Sequence, residues 1–208
     1  MHIVILTFDG FNELDSLLAL GILKQARQPD WRVSICSPSA RVRSMNGLTV
    51  EAQATFDEIP TADVVLVGSG IKTREVVADP ILMAQLRLDP QRQLIGAQCS
   101  GALILAKLGL LAAIPACTDL TTKPWVQEAG VEVLNQAFYA DGNLATAGGC
   151  LGSQYLACWV IARLAGMEAA IAAMHYVAPV GEKEEYVARM VRNVGRYLPA
   201  SDKAEVWA

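Results

Sequence analysis

The chain has 208 residues, of which 53% are hydrophobic and 18% charged, values that suit a single domain over residues 1–208 with a core buried on two sides. A formal net charge of −4 and a pI near 5.2 supply no positive field, which excludes nucleic acid and anionic membrane surfaces as expected partners. Five cysteines, at 36, 99, 117, 150 and 158, are widely spaced and never form a Cys-x-x-Cys pair. They read as free thiols of a reducing cytoplasm.

The first element in chain order is "HIVIL" (2–6), a β-branched run expected to form a strand buried on both faces. The apolar start "MHIVILTF" is too short for a secretion signal and runs into Asp9, Glu13 and Asp15. After "TFDGFNELD", a helix is expected from about Asp15 to Arg27, then a strand at "RVSIC" (32–36). Asn46-Gly47 between short apolar runs predicts a hairpin. "VVLVGSG" after Asp63 predicts a buried strand ending in a glycine-rich turn, and Pro80 suits the first turn of a helix over "PILMAQLRL". "QLIGAQ" predicts the next strand and "SGALILAKLGLL" the helix after it.

Beyond "AIPACTDLTTKPW", a loop rich in Thr and Pro, the sequence predicts a short helix at "PWVQEAG" and a hairpin around Asp141-Gly142-Asn143. A long helix from about Cys150 to Leu164 and a final one from Lys183 to Tyr197 complete the pattern. Arg189, Arg192 and Arg196 share a face of that last helix and read as a solvated stripe. No apolar stretch is long enough to cross a bilayer without interruption. Strands alternating with helices imply an α/β sandwich around a mostly parallel sheet.

In such sheets, sites lie beyond the carboxyl ends of the strands. Three features fall there: the loop carrying Glu13 and Asp15, "GSG" (68–70), and "QCSG" (98–101). A nucleophile on a sharp strand-to-helix turn needs small neighbours, and Gly96, Ala97, Ser100 and Gly101 surround Cys99. The helix that follows is expected to favour its thiolate and lower the thiol pKa. Spacing alone leaves Cys99 open between a nucleophile and a small buried residue. Cys36, Cys150 and Cys158 read as core packing, as does Cys117. His2 opens the first strand, at the end opposite the site, and His175 lies far along the chain, so no Cys-His pair is expected. No phosphate loop, dinucleotide fingerprint or metal-ligand spacing appears, and neither a cofactor nor a metal is expected.

Taken together, "FDGFNELD", "DVVLVGSGIKTREV", "GAQCSGALILAKLGLL" and "YADGNLATAGG" resemble the DJ-1/PfpI (ThiJ) superfamily, relatives of class I glutamine amidotransferases. Within it the chain looks most like the isonitrile hydratase branch, which shares its domain with amidase-like halves of AraC-type regulators. The resemblance covers nearly the whole chain and implies a three-layer sandwich with a flavodoxin-like sheet, a nucleophile elbow and a homodimer. It places Cys99 as nucleophile and Asp15 as the acidic residue beside it. Gly70 and Ser69 take the place of a glycine pair that helps form an oxyanion hole, with the Ser100 backbone N–H as the other donor. Segments that line the family's pocket would bring Glu13, Cys117, Thr118, Asp119 and Cys150 near it.

Departures from the family pattern are specific. Gly68-Ser69-Gly70 replaces proline-glycine-glycine, and Cys117-Thr118-Asp119 replaces threonine-threonine-histidine. Gln154 stands in a place usually acidic, and Ser100 where isonitrile hydratases carry threonine. The expected function is a cysteine-dependent enzyme acting on a small molecule, an isonitrile first, with the missing histidine arguing against a peptidase. A redox-responsive protein whose Cys99 is oxidised to sulfinic acid is the second reading. A non-catalytic ligand-binding module is the third.

Overall fold

The structure, a computed structural model, describes residues 1–199. β1 (His2–Leu6) alternates its side chains between two cores: Ile3 and Ile5 face one, Val4 and Leu6 the other, all fully buried. That two-sided burial is why the run is continuously apolar. α1 (Glu13–Gln25) follows, beginning two residues before its expected start because Asn12, not Asp15, caps it: the Asn12 Oδ1 accepts from the Leu14 N–H at 3.1 Å. β2 (Arg32–Ser37) pairs in parallel with β1.

The expected hairpin around Asn46-Gly47 is present as β3 (Arg41–Arg43) and β4 (Thr49–Glu51), which form a small sheet of their own. β5 (Ala54–Thr55) lies on the outer edge of β2. β6 (Val64–Val67) is followed by α2 (Thr73–Ala78), an element that the sequence pattern did not announce, and then by α3 (Pro80–Gln85). β7 (Leu94–Gln98) leads into α4 (Gly101–Lys107), and α5 (Lys123–Glu128) is the expected short helix. β8 (Phe138–Asp141) and β9 (Leu144–Ala147) make the second hairpin. Its turn is pinned by Arg163, whose guanidinium donates to the Gly142 carbonyl at 2.6 Å and to Asn143 Oδ1 at 2.9 Å.

The last third is helical. α6 (Ser153–Ala165) begins three residues after Cys150, because Cys150–Gly152 form a 3-10 turn ahead of it. α7 (Met167–Val177) occupies a stretch to which the sequence assigned no element, and α8 (Lys183–Val194) ends in a 3-10 turn through Tyr197.

Seven strands form the main sheet in the order β5-β2-β1-β6-β7-β9-β8, parallel throughout except for β8. One face carries α1, α6, α7 and α8 around a core centred on Trp159 and Phe138. The other carries α2, α4 and α5 against Val65, Val67, Ile95 and Ala97. This is the three-layer α/β sandwich expected. Among the described residues no helix is long and apolar enough to cross a membrane.

Candidate functional site

Cys99 follows directly on β7 and has φ +43°, one of two non-glycine residues described in the left-handed region. Such a conformation costs on the order of 1–3 kcal/mol and persists only where the surroundings impose it. Here they do. The Cys99 N–H donates to the Ala147 carbonyl of β9 at 2.8 Å, and its own carbonyl accepts from the Thr118 hydroxyl at 2.8 Å. Gly101 makes room for the bend: a Cβ there would lie 2.5 Å from the Val67 carbonyl oxygen and 2.9 Å from that of Gly68.

Asp15 sits on the buried stripe of α1, in line with Ala19, Ile22 and Leu23, at a place where the 3.6-residue period calls for an apolar side chain. Its carboxyl accepts from the Ser69 hydroxyl at 2.5 Å and from the Ser16 hydroxyl at 3.2 Å, and the Cys99 thiol hydrogen-bonds it as well. Gln98 donates through Nε2 to the Asp15 backbone carbonyl at 3.3 Å. Burial raises the Asp15 carboxyl from 3.8 to about 6, against the pull of those hydrogen bonds. The Cys99 thiol is pushed well above its usual range, first by burial and then by the negative charge of Asp15. This corrects the expectation of an acidified thiol: burial and the neighbouring Asp15 carboxylate both disfavour the thiolate, and α4, only seven residues long, offers a short dipole against them. At neutral pH the pair is therefore a thiol donating to a carboxylate.

The oxyanion-hole candidates are arranged differently from expectation. The Gly70 N–H donates to the Ser100 Oγ at 3.1 Å, so that amide is already engaged. The Ser100 hydroxyl is also 2.7 Å from the Thr73 hydroxyl, which donates to the Gly70 carbonyl at 2.8 Å or shares a proton with Ser100. Ser69 contributes its side chain to Asp15, and its carbonyl accepts from the Asn12 N–H at 2.8 Å.

A cleft of about 410 Å³ opens over the cysteine. Met45, Ile71 and Trp125 give it an apolar wall, with the Arg74 guanidinium 4.7 Å above the Trp125 ring. Asp119 and Cys150 also line it. Asp119 is held by accepting from the Thr121 and Thr122 N–H groups at 3.0 and 2.9 Å. Cys150, which its own segment marks as packing and the resemblance as a pocket residue, brings its Sγ into a triangle with the Cys99 Sγ and an Asp15 carboxylate oxygen, all three within 4.8 Å of one another. The Asn12 amide donates to the Cys150 Sγ at 3.1 Å.

Other expected site residues lie outside the cleft. Glu13 opens α1 but turns away from the cleft: burial works to raise its carboxyl, and hydrogen bonds from its own backbone, Asn46 and Ser44 together hold it below the usual value. Cys117 is fully buried; desolvation pushes it up to about 12, and Gln136 and Thr146 hold its thiol. Thr118 acts on the elbow only through its hydroxyl. His2 is at the opposite end of the sheet, 2.9 Å from the Arg32 guanidinium. His175, exposed on α7, lines a larger depression of about 930 Å³ between α1, α7 and α8, well away from Cys99. Asn12 and Thr73 went unmarked in the sequence, though an Asn just before a helix is itself a cap signal.

A sequence profile described as the DJ-1/PfpI family matches residues 1–162. No curated protein sequence matches significantly. Solved structures do match in fold. A ThiJ/PfpI family protein from Pseudomonas syringae superposes with a TM-score of 0.75 at 20% identity, covering 94% of this chain and 88% of that one. Schizosaccharomyces pombe DJ-1 gives 0.73 at 16% identity, over 86% of this chain and 100% of its own. An AraC family transcriptional regulator from Pseudomonas putida gives 0.73 at 18%, covering 85% and 99%.

Proposed function

This chain belongs to the DJ-1/PfpI family, and from that premise we propose that it is a cysteine-dependent enzyme that hydrates small isonitriles to N-substituted formamides. The observation that carries the reading is the buried Cys99–Asp15 pair, clamped by Ser69 at the floor of a cleft with an apolar wall. An isonitrile needs a nucleophile for its terminal carbon and a proton delivered to that same carbon. Cys99 supplies the first, and Asp15 takes the thiol proton as the sulfur attacks and hands it to the carbon, leaving a thioimidate. Water then adds to that carbon, and Asp15 relays the proton that lets the sulfur leave as thiol. Because the thiol is not acidified, sulfur attack and proton transfer to Asp15 have to be concerted. The Ser100 N–H is the donor nearest in sequence for charge that develops at the adduct, while the Gly70 amide would first have to release the Ser100 hydroxyl. Met45, Ile71 and Trp125 suit an apolar substituent.

The test is formamide release from a panel of alkyl and aryl isonitriles. Wild type is expected to turn over, Cys99→Ala to lose turnover, and Asp15→Asn to fall by about 10²- to 10⁴-fold. The wild-type rate should drop as pH falls through about 6, where Asp15 becomes protonated and can no longer accept the thiol proton. Unchanged turnover in Cys99→Ala would sink the mechanism.

A second reading is favoured by the same carboxyl. With a pKa of about 6, Asp15 can become a donor beside an oxidised, anionic sulfur, which suits a redox-responsive protein with Cys99 as its oxidation site. The resemblance to family members implies sulfinic acid as the end product.

A further inference from the structure

Four of the five cysteines are not the nucleophile, and three of these have settled surroundings. Cys36 Sγ donates to the Thr55 carbonyl at 3.2 Å, Cys158 is enclosed in α6, and Cys117 is held by Gln136 and Thr146. Cys150 is different. It is half-buried, lines the cleft, and its Sγ lies within 4.8 Å of the Cys99 Sγ and of the Asp15 carboxylate. Its sulfur is also oriented from outside its own turn, because the Asn12 amide donates to it at 3.1 Å.

From this geometry we infer that Cys99 and Cys150 are a peroxidatic and resolving pair: Cys99 reduces a hydroperoxide, and Cys150 converts the product to a Cys99–Cys150 disulfide. The pair rests on the redox reading of Cys99 and is independent of isonitrile chemistry.

A disulfide requires the sulfurs to close to about 2.05 Å, so they must approach by less than about 3 Å. The backbone ahead of Cys150 allows for that. Gly149 has φ +78° and faces open space, whereas Gly148 is packed against the Thr118 carbonyl and anchors the segment one residue earlier. Movement is thus confined to the 3-10 turn at Cys150–Gly152 and to side-chain rotation.

The chemistry balances without a metal or cofactor. The Cys99 thiol passes its proton to Asp15 as the sulfur attacks the terminal oxygen of the hydroperoxide. The O–O bond breaks, an alcohol (water, for hydrogen peroxide) departs with the proton from Asp15, and Cys99 is left as sulfenic acid. The Cys150 sulfur then attacks the Cys99 sulfur; the S–O bond breaks, and water leaves with the Cys150 proton. Two electrons have passed from the dithiol to the peroxide. An external dithiol restores both thiols by exchange. Disulfide formation also removes a thiol that burial and Asp15 prevent from ionising, and leaves a neutral group beside the carboxylate.

The experiment uses the full chain. Reduced protein is treated with stoichiometric hydrogen peroxide, denatured, alkylated with iodoacetamide and mapped by peptide mass spectrometry, with and without dithiothreitol. The expected result is a fall from five alkylatable thiols to three, a Cys99–Cys150 cross-linked peptide, and recovery of all five with dithiothreitol. In Cys150→Ser, one equivalent of peroxide should instead leave Cys99 as a sulfenic acid that dimedone traps, and excess peroxide should carry it on to an oxygen gain that dithiothreitol does not remove. Wild type whose Cys99 is trapped as sulfenic acid, or gains further oxygen, without the cross-link overturns the inference and leaves the redox reading intact. Absence of any oxidation at Cys99 overturns both. Isonitrile turnover by the reduced protein is measured separately, so its failure is distinguishable from either. The wild-type mapping decides the matter even if the variant folds poorly.

Discussion

A carboxyl on the core-facing stripe of a helix has thermodynamic consequences that a solvated one lacks. Asp15 is fully buried, and its pKa in the fold is raised from 3.8 to about 6, so the folded chain keeps a proton that the unfolded chain releases. The stability this proton contributes is complete below about pH 3.8 and is lost as pH rises through about 6. Asp15→Asn keeps the shape without the charge. Its stability advantage over wild type should therefore grow from about pH 4 to about pH 7, toward an equivalent of about 3 kcal/mol. Thermal melts of the two proteins across that range check it; a constant difference would contradict the raised pKa. Asp15 was legible as a site candidate from "FNELD", but its burial was not, since nothing local shows that position 15 is on the covered side of α1. Likewise Cys150 reads as a small apolar residue in its own segment, and only the family resemblance put it near the pocket. Its neighbour Cys99 is 51 positions earlier, and only the β7–β9 pairing brings the two together.

Elements depend here on a few close approaches. Gly101 opens α4 where any Cβ would run into the Val67 and Gly68 carbonyls, and its lack of one lets the helix start over the end of β6. Gly101→Ala must push the elbow away and should destabilise by about 1–3 kcal/mol, the usual range for an overpacked site. Chemical denaturation would show it, and the displaced Cys99 should lose the proposed isonitrile turnover together with stability. Where an element announces itself by period or by turn residues, the sequence reading located it: β1, β6, β7 and both hairpins. α2 escaped notice because "TREVVA" is only six residues long and continues directly from a glycine-rich turn. α7 escaped because "MEAAIAAMHYV" is rich in alanine and methionine on every side and shows no clear stripe. Its place is set by packing on α6 and α8 instead.

At the scale of the molecule, the core on the α6 side is organised by Trp159, fully buried, with its ring centroid 6.5 Å from that of Phe138 and its Nε1 without a partner among the described residues. Trp159→Ala should cost about 3–5 kcal/mol, whereas Trp159→Phe should cost much less, because it also removes an unsatisfied N–H. Urea titrations followed by circular dichroism distinguish the two. The layer architecture was readable from strand–helix alternation alone, whereas most of the cleft wall was not: Asn12, Met45, Arg74 and Trp125 reach it from separate segments. That dispersal gives the muted thiol a use as a clock. In an extended chain Cys99 has no carboxylate beside it and no cover, so it is a more acidic and more reactive thiol there than in the finished protein. Pulses of an alkylating reagent during refolding should modify Cys99 early and spare it later. The moment of its silence would date the closing of the sheet.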